Sequence, residues 1–171
     1  MATIGLFYGS TTGKTEAAAE AIQEALGGAD VVELVEISEA EPDTFGNYEN
    51  IIIGCPTWDI GCLQSDWEGF YEDELDGVDF SGKKVAYFGT GDQVGYADNF
   101  QDAMGIIEEK VVGLGGTTVG NTSTEGYEHE ASKADKGGKF VGLALDEDNQ
   151  SDLTDGRIAA WTEQLKTEFA L

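Results

Sequence analysis

Between the apolar run Thr3-Ile4-Gly5-Leu6-Phe7-Tyr8 and an alanine-rich stretch at 15–26 stands Gly9-Ser10-Thr11-Thr12-Gly13-Lys14-Thr15. Glycines and hydroxyls where a strand gives way to a helix make a phosphate-holding turn. The first amides of a helix have no partner within it, the helix dipole favours an anion, and glycine lets backbone approach closely. The nearest familiar spacing is G-x-x-x-x-G-K-[ST], which cradles a triphosphate. Here Gly9 and Gly13 have three residues between them, one too few for that cradle. Ser10, Thr11, Thr12 and Thr15 instead offer hydroxyls that suit a single phosphate group held by neutral donors. Lys14 is expected to contribute its backbone N–H rather than its ammonium.

Two more segments carry unusual residues. One is Pro56-Thr57-Trp58-Asp59-Ile60-Gly61-Cys62; the other is Thr90-Gly91-Asp92-Gln93-Val94-Gly95-Tyr96-Ala97-Asp98-Asn99. Each sets one large aromatic, Trp58 or Tyr96, among glycines and polar residues. Beside a phosphate turn, the pair predicts a flat ligand stacked between two rings. A phosphate at one end and a planar heteroaromatic at the other describes flavin mononucleotide (FMN). The base of an ordinary nucleotide fits less well, because two aromatic walls exceed what a purine needs.

These segments need a scaffold that brings them together. Apolar, partly β-branched runs recur at 3–8, 31–37, 50–55, 83–89 and 116–120, and the last resumes at 139–145. Helical patterns lie between them: Ala18, Ile22, Ala25 and Leu26; Trp67, Phe70, Tyr71 and Leu75; Phe100, Ala103, Met104, Ile107, Val111 and Leu114; Ile158, Trp161, Leu165 and Phe169. Buried strands alternating with amphipathic helices predict one α/β domain over 1–171, a doubly wound five-stranded parallel sheet. The connection at 38–49, with Pro42 and Gly46, is the weakest helix. Residues 121–138 are expected to be a polar insertion splitting the final strand, too long for a turn and too polar for core. In such a sheet, ligands sit beyond the carboxyl ends of the strands, where these three segments fall.

Composition narrows the function. The chain has 171 residues, and 34 Asp and Glu against 9 Lys and Arg give a formal charge of −25. No nucleic-acid partner and no membrane insertion are expected, since there is neither a basic stripe nor an apolar run of spanning length. The charge favours cationic partners reached by electrostatic steering, or else serves solubility in a saline setting. Cys55 and Cys62 form no C-x-x-C pair and His129 is the single histidine, so no metal is expected. Cys55 is read as buried at a strand end, and Cys62 as a loop residue near the site. The run Asp146-Glu147-Asp148-Asn149-Gln150-Ser151-Asp152 resembles a calcium loop superficially but lacks its glycine. The chain enters its first strand without a signal segment, so a cytoplasmic or stromal location is expected.

The chain resembles a long-chain flavodoxin of the cyanobacterial and algal type. The likeness rests on 9–15, on Pro56-Thr57-Trp58 with Ile60-Gly61, on Phe88-Gly89-Thr90-Gly91-Asp92-Gln93, on Gly95-Tyr96-Ala97-Asp98-Asn99-Phe100, and on Leu143-Ala144-Leu145-Asp146-Glu147-Asp148-Asn149. The resemblance implies strand order 2-1-3-4-5 and non-covalent FMN. It implies one-electron transfer between semiquinone and hydroquinone, with no substrate chemistry. Asn99, Gln101 and Asp148 match positions that contact or neighbour the flavin and its ribityl chain. Ferredoxin–NADP reductase and photosystem I are the implied partners of a monomer that replaces ferredoxin under iron limitation. Close relatives commonly carry Asn where this chain has Asp59. Asp59, Asp92 and Asp148 are expected to oppose the anion of the fully reduced ring and so to lower its potential. A quinone reductase using NAD(P)H needs room over the flavin that Trp58 and Tyr96 should cover. A phosphoaccepting domain needs acidic residues where Gly9-Ser10-Thr11 and Cys55-Pro56 stand.

Overall fold

The computed structural model describes residues 3–9, 13–58 and 61–170, with the Trp58 side chain outside that description. Five strands form the central parallel sheet: β1 (Ile4–Tyr8), β2 (Val32–Glu36), β3 (Asn50–Gly54), β6 (Lys84–Thr90) and β10 (Leu143–Leu145). They lie in the order β2-β1-β3-β6-β10, which is 2-1-3-4-5 when only the central strands are counted. All pairings are parallel, and Gly5 stands between Glu33 on one neighbour and Ile51 on the other.

Residue alternation explains why both faces are covered. Ile4, Leu6, Ile52, Ala86, Phe88, Leu143 and Leu145 point to one face, where α1 (Lys14–Leu26) and α4 (Thr154–Glu168) lay Ala18, Ile22, Trp161 and Leu165 against them. Phe7, Ile51, Ile53, Val85 and Tyr87 point to the other, under α2 (Ser65–Asp73) and α3 (Asp102–Gly113). Phe7 and Phe45 stack there with ring centroids 3.9 Å apart. Each large side chain so buried stabilises the fold by roughly 1.5–3 kcal/mol.

The helix expected at 38–49 is instead two 3₁₀ helices, Ile37–Glu39 and Pro42–Asn47. Its buried residues pair at a spacing of three, Ile37 with Ala40 and Phe45 with Tyr48, which suits three residues per turn. Leu75 likewise falls in a separate 3₁₀ turn beyond α2, although it is buried in the same cluster.

The final strand is split as expected. Its first piece, β7 (Thr117–Thr118), pairs with Lys84 and Val85, and β10 pairs further along with Phe88, Gly89 and Thr90. Between them β8 (Thr122–Ser123) and β9 (Lys139–Phe140) close an antiparallel ladder around a long loop. The expectation that this insertion is too polar for core needs correction. Ala134 is fully buried, and the His129 ring packs on Phe100 and Phe140 with centroids 5.6 and 5.1 Å away. A few apolar side chains without any period suffice, because the loop's amides find acceptors on the segments it covers, Glu130 and Ala131 on Ala97 O and Lys133 on Asp102.

Candidate cofactor site

The carboxyl ends of β1, β3, β6 and β10 open on one edge of the sheet, and the loops leaving them meet there. α1 starts directly after the glycine turn. Gly13 is its N-cap, with φ 87° and ψ −6°, and a Cβ there would meet nothing within 4 Å. Conformation rather than space therefore demands glycine at this position. The first helical bond runs from Ala17 N to Gly13 O at 3.0 Å. The amides ahead of it, on Lys14, Thr15 and Glu16, have no acceptor within the helix. Ser10, Thr11 and Thr12, the hydroxyls expected to complete the cradle, lie outside the described residues.

Two side-chain links tie this helix start to other loops. Buried Thr15 meets Thr90 at the end of β6, oxygen to oxygen at 3.2 Å. Lys14 Nζ reaches Asp148 Oδ1 at 3.1 Å, with both side chains about half exposed. The ammonium thus faces a carboxylate across the loop after β10. Surface pairs of this kind are worth about 0–1 kcal/mol. Lys14→Gln should accordingly change unfolding free energy by no more than about 0.5 kcal/mol. A chemical denaturation curve showing a loss above about 1 kcal/mol would contradict the surface role.

The loop after β3 folds back as a hairpin, in which β4 (Thr57–Trp58) pairs with β5 (Cys62–Leu63). Asp59 and Ile60, between these strands, lie outside the described residues, as does the Trp58 side chain. Pro56 is buried, and Thr57 Oγ1 accepts the Ala103 amide at 3.1 Å, which docks the hairpin on α3. Gly61 packs against Asp102, whose buried carboxylate also accepts Asn99 Nδ2 at 3.0 Å and Lys133 N at 2.8 Å. Cys62 is exposed on this hairpin. Cys55 is buried at the end of β3, and burial pushes its thiol up to about 12, so it is a packed apolar group and not a nucleophile.

The loop after β6 is built on Asp92. Its Oδ1 accepts Val94 N at 3.0 Å, Gly95 N at 2.7 Å and Asn149 Nδ2 at 2.7 Å. These bonds, the Gly95 amide first, hold its carboxyl below the usual carboxylate range. A depressed folded-state value means the contribution is present above the unfolded value of about 4 and is lost as pH falls through the lower one. Tyr96 follows, 47% exposed, the most open aromatic ring among the described residues. Gly91 N donates to Leu145 O at 3.0 Å, locking this loop to the end of β10.

Gln101, expected near the flavin, is fully buried beneath that edge. Its backbone is left-handed at φ 59°, uncommon for a residue with a Cβ. Its Nε2 donates to Leu145 O at 3.0 Å, while its Oε1 has no partner among the described residues. Asn99 is half-buried, and Asp148 is exposed at the rim with Lys14.

Asp146 organises the site, a part that neither the calcium-like run nor the family resemblance assigns to it. Fully buried at the end of β10, it accepts Gln93 N and Nε2 on Oδ2 at 3.1 and 2.8 Å. Its Oδ1 accepts the amides of Asp148 and Asn149 at 3.1 and 3.0 Å, and Asn149 Nδ2 reaches both oxygens. The bonds to amides two and three residues on make an Asx turn. Among the described residues no three His, Cys, Asp or Glu side chains are placed to hold a metal ion.

The electrostatics of the turn are anionic. Tyr8, which leads into it, has its hydroxyl pushed up to about 12 by burial, then by Glu16, Glu36 and Glu20. An anionic ligand here depends on amide and hydroxyl donors rather than on cations. The residues present fit the group expected from the sequence: unpaired helix amides for a phosphate, and an exposed ring on a braced loop for a flat heteroaromatic.

Known proteins share this arrangement. The family model described as Flavodoxin matches residues 6–161. The flavodoxin of Trichodesmium erythraeum is 71% identical over 171 residues, covering 100% of both chains. Flavodoxin 2 of Escherichia coli is 46% identical over 170 residues, covering 98% of this chain and 96% of that one. Among solved structures, Fusobacterium nucleatum flavodoxin bound to flavin mononucleotide superposes with a TM-score of 0.89 at 36% identity, covering 98% of this chain and 99% of that one.

Proposed function

The chain belongs to the flavodoxin family, and from that premise we propose that it is a low-potential one-electron carrier with non-covalently bound FMN and no substrate chemistry of its own. One observation carries the reading: a left-handed glycine N-cap on α1 and the exposed Tyr96 loop share one carboxyl edge of a parallel sheet. FMN supplies the one-electron chemistry when bound.

The residues of the chain decide affinity and potential. Twenty-five charges at roughly 20 Å would oppose a phosphate by about 5 kcal/mol in unscreened water, and a Debye length of about 8 Å cuts that to a few tenths. Amide and hydroxyl bonds to a phosphate, at about 1.5–3 kcal/mol each, outweigh the remainder. Lys14, held by Asp148, brings no unpaired cation to the site, and it offsets one of the three carboxylates expected to lower the potential. Asp92 stays ionised. A carboxylate at about 8 Å, with an effective dielectric near 20, disfavours an added negative charge by about 2 kcal/mol. For a one-electron couple that is roughly 90 mV. Tyr96 covers the ring and keeps water from it.

Anaerobic titration of the purified yellow protein tests this reading. Two separate one-electron steps are expected, with FMN released on denaturation and no bleaching by NADPH alone. Colourless protein that takes up no FMN would overturn the carrier, and bleaching by NADPH would favour a reductase.

The partners we propose are cationic redox proteins, of the kind that ferredoxin–NADP reductase and photosystem I represent, met by a monomer in the cytoplasm or stroma that replaces ferredoxin under iron limitation. No helix among the described residues is long and apolar enough to cross a membrane. Several of the few cations are engaged internally, which leaves the acidic excess outward: Lys83 on Tyr48 O, Lys84 on Glu168 O and Lys110 on Tyr71 O. Electron-transfer rates to such a partner should fall at least about tenfold from low to high ionic strength. Stopped-flow rates that stay flat would assign the acidity to solubility instead.

A further inference from the structure

The loop bearing Tyr96 does not stand alone. Buried Gln93, three residues before Tyr96, joins two parts of the chain that the sequence separates widely. Its N and Nε2 donate to Asp146 Oδ2 at 3.1 and 2.8 Å, and its Oε1 accepts the amide of Glu128 from the insertion at 2.6 Å. One residue beyond Tyr96, the carbonyl of Ala97 accepts two more insertion amides, Glu130 N at 2.8 Å and Ala131 N at 2.9 Å. Tyr96 is therefore bracketed on both sides by backbone donors of the insertion.

A clamp works only if it is itself anchored, and the insertion is. Ala134 is fully buried and its carbonyl accepts Val141 N at 2.9 Å, and the Tyr127 hydroxyl donates to Ala144 O at 2.5 Å. The Arg157 guanidinium of α4 lies 4.2 Å from the Tyr127 ring centre, and Arg157 also donates to Gln150 Oε1 at 2.7 Å. Lys133 N donates to the buried Asp102 carboxylate, the same group that takes Asn99 Nδ2. The insertion thus rests on α3, α4 and β10 before it touches the Tyr96 loop.

We propose that the insertion, through Gln93 and the Ala97 carbonyl, positions Tyr96 as a wall of the FMN site, with Gln93 as the positioning residue. This rests on the FMN reading above and goes beyond it, because it gives the insertion a part in setting cofactor affinity and potential. The insertion acts through backbone amides, so its own side chains are free to vary on the outer surface while the clamp persists.

Gln93→Met keeps the side-chain length and removes both the donor and the acceptor. It is expected to weaken FMN binding by the apoprotein about tenfold and to shift the potential of the second one-electron step, with helix content unchanged. Affinity and potential equal to the parent, even at lower thermal stability, would overturn the proposal, because Gln93 would then serve the fold alone. Amide exchange in the unaltered chain decides the matter should the variant not fold. Coupling between sites is reciprocal, so if the clamp favours FMN, FMN must favour the clamp. Loading FMN should slow exchange at Glu128, Glu130 and Ala131 more than at Lys136, whose amide donates within the insertion to Lys139 O at 2.8 Å. Equal slowing at all four, or none, would overturn it. A parent that holds no FMN at all would sink the cofactor reading itself and the clamp with it, an outcome seen before any variant is made.

Discussion

Asp146→Ala is expected to lower the unfolding free energy of the apoprotein by about 3–5 kcal/mol. The carboxylate it removes is the acceptor for five N–H donors: Gln93 N and Nε2, Asp148 N, Asn149 N and Asn149 Nδ2. Two effects oppose each other. Taking out a buried carboxylate relieves its desolvation, which favours the variant. The donors left behind each lose a charge-assisted bond of about 1.5–3 kcal/mol, and those that water cannot reach stay unsatisfied. Asn149 also holds Asp92 at 2.7 Å and is exposed, so water can replace part of its share. Gln93 is buried and has no such recourse. The donors win. At roughly 2–4 °C per kcal/mol for a chain of this size, the thermal midpoint should drop by about 6–20 °C. FMN affinity should fall with it, because the loops after β6 and β10 share this one acceptor. Denaturant titration of the parent and of Asp146→Ala measures the effect, and a loss below about 1 kcal/mol would refute the role given to this residue.

The sheet was legible because its strands are buried on both faces and spell continuous apolar runs. Ile51-Ile52-Ile53 alone, with neighbours of the same kind, fixes a central strand. The glycine cap of α1 was legible for a different reason, since its signal is local: Gly13 stands directly before the alanine-rich helical stretch. What stayed hidden depends on contacts between distant segments. Nothing in the sequence around Gln101 announces a left-handed backbone or a side chain buried under Leu145. Asp146 stood in a run that resembles a calcium loop only superficially, yet burial and five donors separate it from Glu147 and Asp148 beside it. In the insertion, Tyr127, His129 and Ala134 follow no period, so their packing follows from the tertiary seat on Phe100, Phe140 and α3 and not from any local pattern. The 3₁₀ pieces at 37–47 fall between these cases, since their three-residue spacing is visible once the helix is no longer assumed.

Gly105→Ala should destabilise the chain by about 1–3 kcal/mol, although alanine is the better helix former by about 1 kcal/mol. Gly105 lies inside α3, where the insertion crosses the helix. A Cβ built there would stand 2.6 Å from Ala134 N and closer still to the Lys133 carbonyl. Both are backbone atoms, so no side chain can turn aside, and the insertion itself must lift. Lifting it strains Lys133 N on Asp102 and pulls at the Glu130 and Ala131 amides that hold Ala97. Gly69, inside α2, is the control, because a Cβ at that exposed position meets nothing within 4 Å. There the helix preference acts unopposed, and Gly69→Ala should stabilise by about 0.5–1 kcal/mol. The two changes are chemically identical and differ only in what approaches the helix, so their opposite signs isolate the close contact from the propensity. Denaturation midpoints of both variants under one set of conditions provide the measurement. Should Gly105→Ala be neutral or stabilising, the insertion would have to yield at no cost, and its seat on α3 would be too soft to brace the Tyr96 loop.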